Sequence, residues 1–167
     1  MRIALYAVGA LVALMLIMVA VGYLLPQDHH VWRERTFAAP PDRLFALISS
    51  PADFPTWRSG VRQVEVLPVE AGKERFREVS GEGTILYEVE ERVPGQRLVL
   101  RIADPKLPFG GRWTYELTPA ASGTSLRITE DGEVYNPLFR FLSRFVFGHH
   151  GTIDRYLADL EKVAGVT

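Results

Sequence analysis

The chain has 167 residues, a formal net charge of −1 and no cysteine. Acidic and basic residues are interspersed with no basic block, which speaks against a nucleic-acid partner. The missing thiols exclude disulfides, cysteine nucleophiles and cysteine-ligated metals.

Residues 3–25 carry no charge and are rich in Leu, Val, Ala, Met and Ile. As a helix they reach roughly 30–35 Å, enough to cross a bilayer core. Ala20-Val21-Gly22 resembles a signal-peptidase site, but the apolar run continues to Leu25 without a polar stretch before the cut. The segment therefore reads as an uncleaved single-pass anchor, with residues 26–30 as linker. With so short a tail ahead of it, a signal-anchor sends the following domain to the exported side. Arg33, Arg35 and Arg43 point the other way by the positive-inside count.

Residues 31–167 make one domain, long enough to bury a core. Residues 31–37 alternate and predict a first strand. Pro41 opens a short helix carrying Leu44, Phe45, Leu47 and Ile48, and residues 52–57 make a second turn or helix. From Val61 the pattern has period two, predicting strands at 61–67, 73–79, 83–93, 97–103, 112–118 and 124–134. The short polar or Pro/Gly turns between them force an antiparallel meander. Alternation puts Phe76, Tyr87, Leu100, Trp113, Tyr115 and Ile128, with Val66 and Leu98, on one apolar face.

Residues 137–164 predict a long helix. Pro137 suits its first turn, Gly165 its end, and Leu138, Leu142, Phe145, His149, Ile153, Tyr156, Leu160 and Val163 form one stripe. Gly148 and Gly151 allow a local kink. A one-sided sheet must be covered, and this helix is the long element available to do it.

That order resembles the START-like (SRPBCC) superfamily, the helix-grip fold of polyketide cyclase/dehydrase-like proteins. The resemblance is carried by the first strand with Pro40-Pro41-Asp42-Arg43-Leu44-Phe45 and by Asp53-Phe54-Pro55-Thr56-Trp57. Gly132 ahead of Pro137-Leu138-Phe139 and the helix to Leu160 completes it. It implies an α+β architecture: a curved antiparallel sheet of about seven strands around a C-terminal helix, enclosing a cavity. It also implies hydrophobic ligands such as lipids, quinones or polyketides, and no shared catalytic motif to carry over.

Candidate chemistry sits on the apolar face. Glu78 and Glu130 share parity with Phe76 and Ile128, and a carboxylate in an apolar cavity could serve as acid or base. The commoner alternative is that each reaches water or pairs with an arginine. His149 lies on the helix stripe as an acid–base candidate, as a metal ligand together with Glu130 or, more commonly for such a position, as a hydrogen-bonded core residue. No H-x-x-x-H spacing accompanies it, so no metal or other cofactor is expected. Trp57, Phe76, Tyr87, Leu100, Trp113, Tyr115, Ile128, Leu142, Phe145 and His149 are the expected ligand-contacting residues. Leu107 and Phe109 either rim the cavity mouth or fold onto the core. The expected function is a membrane-anchored binding protein for a hydrophobic small molecule. The alternative is a cyclase- or dehydrase-type enzyme using Glu78, Glu130, His149 or Tyr87 in the same cavity.

Overall fold

The computed structural model describes residues 2–81, 83–148 and 151–165. The chain runs α1 (Arg2–Leu24), β1 (Asp28–Phe37), α2 (Pro41–Ser49), a 3-10 turn (Pro51–Asp53) and α3 (Phe54–Trp57). There follow β2 (Val61–Glu70), β3 (Lys73–Ser80), β4 (Gly83–Val93), β5 (Arg97–Ile102), β6 (Phe109–Ala120) and β7 (Gly123–Val134). The chain closes with α4 (Pro137–Leu142), one π turn (Ser143–Phe147) and α5 (Gly151–Ala164).

The strands form a seven-stranded antiparallel sheet in the order β1-β7-β6-β5-β4-β3-β2. This is the helix-grip α+β fold. The expected strand boundaries agree within a few residues, and β1 begins earlier than expected, at Asp28, inside the stretch read as linker. The concave face buries Phe76, Leu98, Leu100, Tyr115, Leu117, Leu126 and Ile128. Against them lie Leu44, Phe45 and Ile48 of α2, Phe54 and Trp57 of α3, and Ile153, Tyr156, Leu157 and Leu160 of α5. Each fully buried Leu or Ile contributes about 1.5–3 kcal/mol by leaving water. Val66 shares this parity, opposite Phe76, but is 60% exposed, because the outer part of β2 extends beyond the helices.

Residues 137–164 are not one uninterrupted helix. α4 is capped by Asn136, whose side-chain oxygen accepts from the Leu138 and Phe139 N–H groups. It then widens into the π turn and stops at Gly148, whose φ of +71° disfavours any residue with a Cβ. Only α5 grips the sheet, while α4 docks on α1. The single stripe expected at helical spacing is thereby divided. Ile153, Tyr156 and Leu160 are buried, whereas Phe145 is 60% exposed.

α1 is 23 residues long, about 35 Å at helical rise, and within the domain only its last turns are covered. It meets the sheet at one definite end. Asp28 pairs with Glu133, Phe109 with Val134, Tyr87 with Ile102, and Ser80 with both Gly83 and Val61. All these strand ends therefore lie at the α1 end of the sheet. α5 starts there and finishes at the far end, where the Ala38 N–H donates to the Gly165 carbonyl at 3.2 Å.

Candidate functional site

The helices leave part of the concave face open, forming a cavity of about 290 Å3. Its walls are Phe76 of β3, Ile85 and Tyr87 of β4, Leu100 of β5, and Trp113 and Tyr115 of β6. Strand pairing explains the grouping: Phe76 lies opposite Tyr87, and Leu100 opposite Trp113, so alternation delivers four large side chains to one patch. The opposite wall is Phe54 with Thr152, Arg155, Tyr156 and Asp159 of α5. The loop at 58–62 and the β3–β4 turn complete the rim, and Arg62, Gly81 and Thr152 there are exposed.

Aromatic side chains meet edge-on, tilted and stacked. Trp57 and Tyr156 lie at 5.3 Å and 85°, Phe54 and Phe76 at 5.9 Å and 82°. Phe76 and Tyr87 stack at 5.2 Å and 22°. Such pairs add about 0.5–1.5 kcal/mol each beyond area burial and hold the walls in shape.

One charged pair sits in this aromatic setting. Glu78 points inward from β3 and is engaged through both carboxylate oxygens by Arg58, from Nη1 to Oε2 and from Nη2 to Oε1 at 3.2 Å. The Arg58 guanidinium also lies 5.0 Å from the ring centres of both Phe54 and Tyr156. Burial pulls its pKa down, but Glu78 and the surrounding phenols more than offset this and leave it raised. Burial pushes the Tyr115 phenol well up, and the Tyr156 phenol likewise, against smaller opposing pulls from Arg58 and Tyr115. The buried Tyr156 hydroxyl has no hydrogen-bond partner of standard geometry. The hydroxyl is shielded from solvent inside the wall, where the Tyr115 ring centre lies 5.6 Å from that of Tyr156.

Of the residues singled out by pattern, Phe76, Tyr87, Leu100, Trp113, Tyr115 and Glu78 come together around the cavity. Trp57 stands behind Tyr156 as support. Ile128 is fully buried in the core without lining the space. Leu142 and Phe145 lie before the break at Gly148, in the part of the chain that docks on α1, and do not reach the cavity. His149 lies outside the described residues. Glu130 sits apart, opposite Trp113 in register and 3.5 Å from His29 Nε2. Leu107 and Phe109 are half-buried near the α1 end of the sheet and are not lining residues. Among the described residues no three His, Asp or Glu side chains converge as a metal site.

Arg58, Tyr156, Phe54 and Asp159 join the site without having been marked by pattern as its members. Tyr156 is legible on the α5 stripe. Arg58 follows Trp57 in a loop with no periodic signal, and its partner is twenty residues away.

Residues 28–165 match the family model described as polyketide cyclase/dehydrase and lipid transport. Comparison with curated protein sequences gives no match. Among solved structures, a Thermus thermophilus protein is 24% identical, with a TM-score of 0.66 over 80% of this chain and 95% of that one. The Zhui aromatase/cyclase from Streptomyces sp. R1128 is 17% identical, with a TM-score of 0.63 over 84% and 99%. A START superfamily protein from Mycobacterium smegmatis is 15% identical, with a TM-score of 0.63 over 83% and 97%. At these identities the likeness establishes the fold.

Proposed function

Because the chain belongs to the polyketide cyclase/dehydrase and lipid-transport family, we propose that it is a membrane-anchored binding domain for a small hydrophobic molecule. The molecule occupies the space between the sheet and α5. The observation that supports this most is a cavity walled by Phe54, Phe76, Tyr87, Trp113 and Tyr115, with the Arg58–Glu78 ion pair set among these rings. At about 290 Å3 the space lies at the lower end of ligand pockets. It equals about ten water volumes, which suits one or two rings or a short chain rather than a whole two-tailed lipid. In the same proposal α1 crosses the bilayer once and the domain stands on the exported side. Its support is a charge-free apolar stretch of span length that the domain leaves uncovered.

Cyclase- or dehydrase-type chemistry is the second reading. Of its candidate acid–base groups Glu78 and Tyr87 line the cavity, and both carboxylate oxygens of Glu78 are held by Arg58, which favours binding over proton transfer at that residue.

The test is to purify the full-length protein from membranes in mild detergent, extract it with solvent and analyse the extract by mass spectrometry. One small molecule per chain is expected, lost in a Leu100→Trp variant that fills the cavity. An empty extract, together with no displaceable binding of a fluorescent aromatic probe, would overturn the proposal.

A further inference from the structure

Where α1 leaves off, the fold holds a second apolar element against it. Gly22 in the last turns of α1 meets Pro137 so closely that a Cβ there would lie 1.9 Å from the Pro137 carbonyl oxygen. Arg140 of α4 locks the junction. It donates to the carbonyls of Gly22 and Leu25 at 3.3 Å each, of Val134 at 2.8 Å and of Tyr135 at 3.0 Å. From this point α4 and the π turn present Phe139, Phe145 and Val146 outward, exposed by 48%, 60% and 62%. Tyr135, just ahead of α4, is 43% exposed. Residues 137–147 contain no acidic side chain, and their two charges are Arg140 and Arg144.

We propose that α4 and the π turn lie in the interfacial layer of the bilayer that α1 crosses, turning the cavity mouth toward the lipid surface. This placement rests on α1 being a span. The occupant follows from continuity. A span enters the headgroup region at its end, and the end of α1 is the turn to which Arg140 binds α4. Aromatic side chains and arginines that reach outward are what that layer accommodates. Arg140 has its donors met by backbone carbonyls, so it enters the layer without unpaired N–H groups of its own.

The strand pairing then orients the rest. The rim residues Val61, Ser80 and Gly81 lie at the strand termini shared with the anchor, and Thr152 is in the first turn of α5, which starts at the same end. The cavity thus faces the membrane, and a ligand dissolved in lipid reaches it without crossing bulk water.

The cysteine-free chain allows single labels. F145C and V146C are labelled with an environment-sensitive NBD probe in the full-length protein, with S122C in the β6–β7 turn at the far end as reference. Each protein is reconstituted in phosphatidylcholine vesicles and floated on a density gradient. The expected result is co-flotation, a blue shift and loss of iodide quenching at 145 and 146, and quenching there by nitroxide-labelled lipid. S122C stays open to iodide. Equal iodide access at all three positions in floating vesicles overturns the placement while leaving the span intact. Shielding from iodide without lipid quenching means that a second copy covers the segment, and also overturns it. Failure to float removes the span and this placement together. Ligand extraction in detergent reports separately on the cavity.

Discussion

Asp159 of α5 accepts two hydrogen bonds from Ser59, from the backbone N–H at 2.8 Å and the hydroxyl at 2.7 Å. The contact ties the helix that grips the sheet to the loop that carries Arg58, so the charged pair in the cavity is held from behind.

Asp159→Ala should therefore destabilise the domain by about 1–3 kcal/mol, since it leaves a Ser59 donor unmet. Burial alone would raise the Asp159 carboxyl, but Lys162 and Ser59 more than offset it and set its pKa below the usual range. A carboxylate with a depressed folded pKa gives its full stabilisation above the unfolded value, about 4. That stabilisation disappears as pH falls through the lower folded value. Urea denaturation from pH 7 downward should show the gap between the two proteins closing below about pH 4. A gap that widens on acidification would refute the assignment.

Arg58 and Glu78 should be costly to separate and cheap to replace together. Glu78→Ala or Arg58→Met alone leaves one buried charge and should cost about 3–5 kcal/mol. The double variant R58M/E78L should recover most of that loss, measured by chemical denaturation. Additive losses in the double variant would show that the two side chains do not act as a coupled unit.

Tyr156→Phe removes a buried hydroxyl without a hydrogen-bond partner of standard geometry, so thermal stability should hold or rise slightly. Affinity for the ligand should change by less than about threefold, because the hydroxyl is shielded within the wall and a lost hydrogen bond would be worth about tenfold. Titration calorimetry with the molecule recovered from the native protein measures it. A tenfold loss would show that the ligand reaches the hydroxyl.

Arg140→Ala should loosen α1 from the domain without unfolding the sheet, because the four carbonyls it serves lie at the junction. Proteinase K should then cut faster within residues 25–27 while circular dichroism is unchanged. Equal cutting rates would mean that the Gly22–Pro137 contact suffices.

The strands are legible in the sequence because alternation is a local signal. The expected bounds of Gly83–Val93 match to the residue, and parity alone puts Phe76, Tyr87, Leu100, Trp113 and Tyr115 on the lining face. The helix after β7 misleads because spacing of three and four continues through the break. Leu142 and Phe145 keep the period of Ile153 and Tyr156, yet Gly148 at φ +71° and the π turn send the two halves to different partners. Apolar residues that face outward beside α1 and apolar residues that face a core look alike in sequence. Glu78 shows the other limit. Its inward parity is readable, but whether Arg58 meets it depends on a loop conformation set by Ser59 and Asp159, a hundred positions apart.

Only residues 25–27 separate the end of α1 from the start of β1. Fully stretched, they span about 10 Å. With α1 held in a bilayer, a lead so short keeps the protein moored. On the proposed membrane-anchored reading, the cavity then stays within reach of that one surface, and whatever molecule it holds is taken up and released there.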